Sequence, residues 1–461
     1  MSERDTIVAV ATPIGRGGVA IIRLSGEASL SIAKELGSGD LTPRVAHYGS
    51  FLDENDTVLD LGLFLYFKAP HSFTGEDVVE LQCHGGPVVV DRLLQRVVNL
   101  GARLAEPGEF SKRAFLNEKL DLTQAEAIAD LINSSSLQAA KLAIRSLQGE
   151  FAHTIHQFKE KLIELRLYIE GAIDFVDEDI ELLNQGNIKN RLEELVHLLQ
   201  RIQREAKQGH CLQEGVTVVI AGLPNAGKSS LLNALSGRES AIVTDIPGTT
   251  RDLLREYIHI DGIPLHIVDT AGLRKTSDKI EKEGVARALT AIVEADQILW
   301  VQPVNDKQAD PRKAFEELIK SIAKEEVLVE IPPLTVITNK IDLIGESASI
   351  SKAQDSYHLS EIALSAKTGE GVELLRQHLK ALSGYTSDTE GLFLARERHL
   401  EAIAEACHAL MAAQTEWIAT GALELIAECL RQAQLALDRI TGVVTSDDLL
   451  GEIFSRFCIG K

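Results

Sequence analysis

The sequence predicts a multidomain chain of mixed class, α+β and α/β, in which a helical domain is interrupted by an inserted domain of alternating strands and helices. Three observations carry that reading. Short apolar runs punctuated by Gly and Pro fill residues 1–118; long, Pro-poor amphipathic stretches fill 119–212 and resume at 384–461; and the intervening 213–383 opens on a buried-strand pattern followed by a Gly-rich turn. At 461 residues the chain exceeds one ordinary core and suggests roughly three domains of about 150 residues.

Taken in order, "GVAIIRL", "LGLFLYF" and "DVVELQ" read as strands of an α+β domain over 1–118. From about 119, "QAEAIADLINSSSLQAAKLAIRSLQGEFAHTIHQFKEKLIELRLYIEGAIDF" repeats apolar residues at three and four spacing, and "IKNRLEELVHLLQRIQREAKQ" adds a further amphipathic helix. At "VTVVIAGLPNAGKSS" the texture changes, so a new domain begins near 213. Alternating strands and helices run to about 383, and "ARERHLEAIAEACHALMAAQTEWIATGALELIAECLRQAQLALDRI" then restores the helices. Helices bury their apolar stripes only when enough of them pack together, so the simplest architecture joins 119–212 with 384–461. Two separate helical domains are the alternative. No internal repeat or low-complexity tract is evident.

Composition narrows the classes. Against 47 Lys and Arg stand 68 Asp and Glu, a formal charge of -21, which argues against coating nucleic acid by bulk electrostatics. A nucleic-acid partner would need a local basic patch. Cys83, Cys211, Cys407, Cys429 and Cys458 are odd in number and never form a CxxC pair, so neither a disulfide framework nor a zinc site is expected. The start "MSERDTIVAV" lacks the pattern of a leader, and no apolar run approaches the ~18 residues of a membrane span. A cytoplasmic protein without a membrane partner is expected.

The inserted domain carries the most legible chemistry. Gly222, Gly227, Lys228 and Ser229 fit GxxxxGK[ST] between a strand and a helix, the context that a phosphate-binding loop requires. Asn225, Ala226 and Ser230 complete the loop. Its backbone N–H groups face phosphates, Lys228 spreads charge over the β and γ groups, and Ser229 can ligate Mg²⁺. Three further motifs follow: "DTAG" with Asp269, Thr270, Ala271 and Gly272, "TNKID" with Asn339, Lys340 and Asp342, and "LSAK" with Ser365 and Ala366. Together they form a GTPase signature of the Ras-like P-loop class. Asp342 can accept two hydrogen bonds from N1–H and the exocyclic amine of guanine, which adenine does not offer, while Asn339 and the Ala366 N–H meet the other edge.

Between these motifs, "AIVTDIPGTTRD" occupies the position of a loop that senses the γ-phosphate, with Thr244, Asp245, Ile246, Pro247, Gly248, Thr249 and Thr250 facing the nucleotide. Thr250 is the candidate second side-chain ligand of Mg²⁺. A water-positioning Gln would follow "DTAG", but Leu273 stands there and a hydrocarbon cannot orient water. Arg251, Arg274, Glu281 and Glu283 are the nearby charged candidates. Near the end of the sequence, Cys458 reads either as an accessible thiol with a chemical role or as part of a packed tail. Cys83, beside His84, reads as a buried strand-end residue, and Cys407 and Cys429 as helical core.

Residues "GLPNAGKSSLLNAL", "IVTDIPGTTRD", "DTAGLR" and "FCIGK", with "DTIVAVATPIGRGGVAIIRLSG", "CHGGP" and "EPGEFSKRAFLNEKLDLTQAEAIADLI", resemble the MnmE/TrmE family of bacterial and organellar tRNA-modification GTPases over essentially the whole chain. The resemblance implies an N-terminal folate-binding and dimerising domain, a discontinuous helical domain and an inserted G domain. It implies a homodimer that works with the FAD-bearing flavoprotein MnmG. Together they add an aminomethyl-type (carboxymethylaminomethyl) group to C5 of the wobble uridine of certain tRNAs, using a reduced folate, 5,10-methylene- or 5-formyl-tetrahydrofolate. It further implies K⁺ beside the phosphates, held by the Asn225 side chain, the Thr244 and Ile246 carbonyls and Thr249. Glu281 would then orient the attacking water, with Arg251 and Arg274 secondary. Arg23, Glu80, Lys119 and Lys461 match the folate site. A regulatory or ribosome-assembly GTPase is the alternative, disfavoured by the acidic-to-neutral helical flank.

Overall fold

The computed structural model describes residues 5–13, 15–134, 136–174, 185–236, 255–260, 263–269, 292, 295–306, 310–323, 332–351, 359–382, 392–442, 447–455, 457 and 460. The chain divides into two compact units, one of Met1–Asn133, Ala143–Gln200 and Glu401–Lys461, the other of Ser134–Leu142 and Arg201–Leu400.

In the first unit, β1 (Ile7–Val10), β2 (Gly17–Ser25), β3 (Ala46–Leu52), β4 (Val58–Phe67), β5 (Val78–Gly85) and β6 (Arg103–Leu104) form a sheet of order β3-β4-β5-β2-β1-β6. All pairs are antiparallel except β1 with β6. Period-two alternation splits each strand between two faces. Ala20, Ile22 and Leu24 of β2 and Val79, Leu81 and Cys83 of β5 enter the main core, against α1 (Ser29–Glu35) and α2 (Pro87–Asn99). Arg23 and Glu80 therefore fall on the opposite face. That face holds a second apolar cluster of Ile7, Ala9, Ala105 and Phe110, with Phe73 against it, beneath α3 (Glu109–Leu116).

Helices α4 (Leu122–Asn133), α5 (Leu137–Leu147), α6 (Glu150–Asp174) and α7 (Gln185–Glu214) follow. The start of α4 is written in "DLTQ": Asp121 Oδ1 accepts the Gln124 N–H at 2.9 Å and Gln124 Oε1 accepts the Asp121 N–H at 3.0 Å, a reciprocal cap that satisfies two end donors. Gly215, at φ 80°, ends α7, since a left-handed residue cannot continue the helix.

The second unit is built on a seven-stranded sheet of β7 (Val216–Gly222), β8 (Arg255–Ile260), β9 (Ile263–Asp269), β10 (Gln297–Pro303), β11 (Leu334–Asn339), β12 (Ser349–Ser351) and β13 (Ser360–Leu364). Its order is β12-β13-β11-β10-β7-β9-β8, with parallel pairing throughout the centre and antiparallel pairs only at the two edges. Every residue of β10, "QILWVQP", is buried, as a strand covered on both faces requires. Helices α8 (Lys228–Ser236), α9 (Pro311–Ala323) and α10 (Val372–Leu382) belong to this unit.

Helices α11 (Glu397–Ala419), α12 (Leu423–Thr441) and α13 (Asp447–Ser455) complete the order. Within the first unit α12 packs along α6, with a buried Lys159–Asp438 ion pair and an Arg166–Gln434 hydrogen bond of 2.6 Å. Leu450, Ile453 and Phe454 of α13 and Phe457 bury against Leu122, Ala125 and Ala129 of α4. A Cβ at Gly108, just before α3, would lie 2.5 Å from the Phe454 carbonyl, so this contact needs glycine. The mixed class and the resumption of helices after an α/β segment are as the sequence predicts. Cys407 is buried as expected, but Cys429 is only half-buried, because it sits at the margin of the α12 stripe formed by Ile426, Leu430 and Ala433.

Candidate functional site

The inserted segment's motifs converge at the C-terminal ends of the parallel strands, where open α/β sheets bind ligands. Strand β7 ends at Gly222, whose φ is 147° and where a Cβ would lie 2.0 Å from the Val301 carbonyl of the neighbouring β10. The turn then runs through Asn225, itself left-handed at φ 60°, to Gly227 at φ 95°. A Cβ on Gly227 would fall 2.4 Å from Asn339 Nδ2, so the loop closes only as bare backbone. Lys228 opens α8 and donates from Nζ to the Gly222 and Leu223 carbonyls, both at 3.0 Å. Ser229 and Ser230 stand exposed in the helix's first turn.

Asn339 ties this loop to the base-recognition segments. It is 2% exposed, its Nδ2 donates to the Ala226 carbonyl at 2.9 Å, and its Oδ1 accepts the Lys340 and Ala366 N–H groups at 2.8 and 3.0 Å. Lys340, left-handed at φ 70°, donates from Nζ to the Asn225 carbonyl at 2.7 Å. The buried Ser365 hydroxyl donates to Asp342 Oδ1 at 2.7 Å, fixing a carboxylate that is exposed at the sheet's end. Asn225, Ala226, Gly227, Lys228, Asn339, Lys340, Asp342, Ser365 and Ala366 are thus one connected group.

A second group lies in the N-terminal sheet. Arg23 and Glu80 are register partners across β2 and β5, and Arg23 Nε and Nη2 reach Glu80 Oε1 at 3.0 and 2.8 Å. Two rings flank the guanidinium, Phe73 at 5.7 Å and Phe110 at 6.0 Å from ring centre to Cζ. Arg23 Nη1 also approaches the Gly460 carbonyl at 3.5 Å, and a Cβ on Gly460 would lie 2.4 Å from the Val10 carbonyl. Lys119 lies in the same unit, its stem 3.3 Å from a Cβ built on Gly75, and it lines a cleft of about 490 Å³ with Phe115, Glu118, Asp121 and Gln124.

Two family models together match most of the chain. Residues 6–119 match the family description "GTP-binding protein TrmE N-terminus", and residues 122–458 match "MnmE helical domain". The chain is 56% identical over 462 residues to the tRNA modification GTPase MnmE of Pseudomonas fluorescens (strain Pf0-1), covering 100% of both. It is 57% identical over 458 residues to that of Pseudomonas aeruginosa (strain UCBPP-PA14), covering 99% of each, and 55% identical over 463 residues to that of Histophilus somni (strain 129Pt), covering 100% of each. The chain belongs to the MnmE (TrmE) family of tRNA modification GTPases.

Several residues that the sequence motifs and the family resemblance single out lie outside the described residues: Thr244, Asp245, Ile246, Pro247, Gly248, Thr249, Thr250, Arg251, Thr270, Ala271, Gly272, Arg274, Glu281, Cys458 and Lys461. Asp269 closes β9, as its apolar run predicts. Cys83 is 3% exposed, and burial, with the Asp60 charge adding to it, pushes its thiol up to about 11, which leaves it a core residue rather than a nucleophile. Its neighbour His84 is exposed and paired with Asp60 at 2.8 Å. Among the described helices none is long and apolar enough to cross a membrane. Sequence reading overlooked two connections here: the Lys340 bond to Asn225, and Arg376 of α10, whose Nη2 donates to the Leu235 carbonyl of α8 at 2.6 Å. Neither bond has a sequence signal, since each joins a long cationic side chain to a backbone carbonyl over a hundred residues away.

Proposed function

We propose that this chain is a K⁺-stimulated GTP hydrolase that acts in tRNA wobble-uridine modification as a homodimer with an FAD-bearing flavoprotein, using a reduced folate as one-carbon source. We place its G domain at 213–383, inserted into a helical domain of 119–212 and 384–461, after an N-terminal domain of 1–118. The observation that carries the guanine reading is the Asn339–Ser365–Asp342 arrangement beside the phosphate loop. Asp342, oriented by Ser365, accepts from the Watson–Crick edge of guanine, and an adenine would leave it facing an acceptor.

The loop's residue types fit the cations the reaction needs. Gly227 leaves no room for a side chain over the turn, and Ser229 presents its hydroxyl in the first turn of α8. Ser229 with Thr250 would hold Mg²⁺, and Asn225 with Thr244, Ile246 and Thr249 would hold K⁺. Bound there, the cations would offset charge that develops on the phosphate oxygens during cleavage. Lys228 contributes a fixed positive charge to the same oxygens, and Glu281 orients the attacking water that Leu273 cannot, with Arg251 and Arg274 steadying the flanking loops. Arg23, Glu80, Lys119 and Lys461 form the folate site. There a carboxylate suits the amidine-like edge of a pterin and cations suit an anionic tail.

Glu281→Ala tests the hydrolytic assignment. GTP turnover is expected to fall by about 10²-fold or more, with GTP affinity nearly unchanged. Unchanged turnover removes Glu281 from the mechanism.

A further inference from the structure

An ionic network centred on Arg113 joins the segments that carry Phe73 and Phe110, the two rings beside Arg23. Arg113 of α3, whose side chain is 10% exposed, donates from Nη1 to the Asp5 carbonyl at 2.8 Å and to both Glu76 oxygens at 3.2 and 3.1 Å. Its Nη2 donates to Asp5 Oδ1 at 2.8 Å and Glu109 Oε1 at 3.0 Å. Arg103 closes the far side on Asp5 at 2.7 Å and on Glu109 at 2.6 and 2.9 Å. Glu76 Oε2 also accepts from Ser25 Oγ at 2.6 Å, and that hydroxyl meets Thr74 Oγ1 at 2.6 Å with both residues fully buried.

Two of the segments joined at Arg113 matter to the neighbouring site. One is α3, which carries Phe110; the other is the 72–77 loop, which carries Phe73; these are the two rings against which the Arg23 guanidinium lies. The same loop is held at Thr74, whose carbonyl accepts from Asn117 Nδ2 at 2.7 Å, and it meets the Lys119 stem at Gly75. The Glu76 contact of Arg113 therefore ties α3, with Phe110, to the loop that carries Phe73 beside Arg23 and Gly75 beside the Lys119 stem. A planar guanidinium can bridge several carboxylates at fixed angles, whereas an ammonium is a single point charge.

We propose that Arg113 is a positioning residue of the folate site: it fixes α3 and the 72–77 loop so that Phe73 and Phe110 hold Arg23 in line with Glu80. The inference rests on the folate reading of Arg23, Glu80 and Lys119. It makes Arg113 a determinant of ligand affinity, not only of fold stability.

Calorimetric titration of the full chain with 5-formyl-tetrahydrofolate tests it, with thermal unfolding and GTP turnover measured alongside. Arg113→Lys keeps the charge and loses the fork; it is expected to weaken binding about tenfold while GTP turnover stays at the parent value. Parent affinity in Arg113→Lys overturns the positioning role, even if Arg113→Met binds weakly, because charge alone would then suffice. If either substitution at 113 prevents folding, Glu76→Gln, which keeps the shape of Arg113's partner, decides the matter: weakened binding supports the proposal and unchanged binding overturns it. A double-mutant cycle with Phe73→Leu supplies a readout that a purely structural role would not move. Losses that fail to add show that Arg113 acts through Phe73, and additive losses contradict it. Absence of folate binding by the unaltered chain would instead overturn the folate reading itself.

Discussion

Asn339→Asp changes one atom in the clamp between the phosphate loop and the base segment. Oδ1 keeps its two N–H donors, but the Nδ2 that donates to the Ala226 carbonyl at 2.9 Å becomes an acceptor facing an acceptor. Asn339 is 2% exposed and Ala226 fully buried, so water cannot replace the lost donor. Stranding a buried carbonyl costs about 1–3 kcal/mol. A central value of about 2 kcal/mol corresponds to roughly 25- to 30-fold weaker nucleotide binding, at about 1.4 kcal/mol per decade. The sign of the pH dependence follows from desolvation. Burial and the facing Ala226 carbonyl favour the neutral form of the introduced carboxyl, against the two N–H groups on Oδ1 that favour its charged form, and the protonated acid can donate to the Ala226 carbonyl again. The defect is therefore small where the introduced carboxyl is protonated and grows as pH rises and it ionises. Titration of a fluorescent GDP analogue at several values between about pH 6 and 8.5 reads both features. Parent-like affinity at the alkaline end, or a defect indifferent to pH, would refute this account of the clamp.

Two further outcomes follow from the first unit. Hydrogen bonds from Arg103 hold the Asp5 carboxyl below its ordinary range against some desolvation, while at Glu109 burial alone would raise the pKa and bonds from Arg103, the Glu106 N–H and Arg113 reverse it. Groups depressed in the folded state add stability above their unfolded pKa values and lose it as pH falls towards the folded ones. Stability should thus decline as pH falls below the ordinary carboxylate range, and Arg103→Gln should flatten that decline and cost roughly 2 kcal/mol at neutral pH, discounted for the partial exposure of Arg103; chemical denaturation at a series of pH values checks both. Cys83, with its thiol near 11, should resist iodoacetamide in the native chain at pH near 7.5 and react once unfolded, and peptide mass mapping that finds fast native labelling would contradict its burial.

The nucleotide loop was legible because its chemistry is local. Gly222, Gly227 and Lys228 sit within a few residues between one strand and one helix, and their spacing alone dictates a turn with phosphate-facing N–H groups. The reciprocal cap of Asp121 and Gln124 likewise lies within four residues of sequence. The Arg23–Glu80 pair was not legible from the residues, since it depends on the register of β2 against β5, which no short stretch encodes. The same holds for the bonds of Arg113 to Asp5 and Glu76, which come from separate segments, whereas Glu109 lies one turn earlier on the same helix. Charged residues at such positions look in sequence like solvated surface, and only the fold shows them paired and largely buried.

Measurement of GTP turnover by the purified chain in KCl against NaCl, at matched ionic strength and with Mg²⁺ present, tests the central claim most directly. Strong stimulation specific to K⁺, lost in Asn225→Ala without loss of guanine-nucleotide affinity, is the predicted result. Equal slow turnover in both salts, or equal K⁺ stimulation in Asn225→Ala and the unaltered chain, would contradict a cation-assisted hydrolase built around this loop.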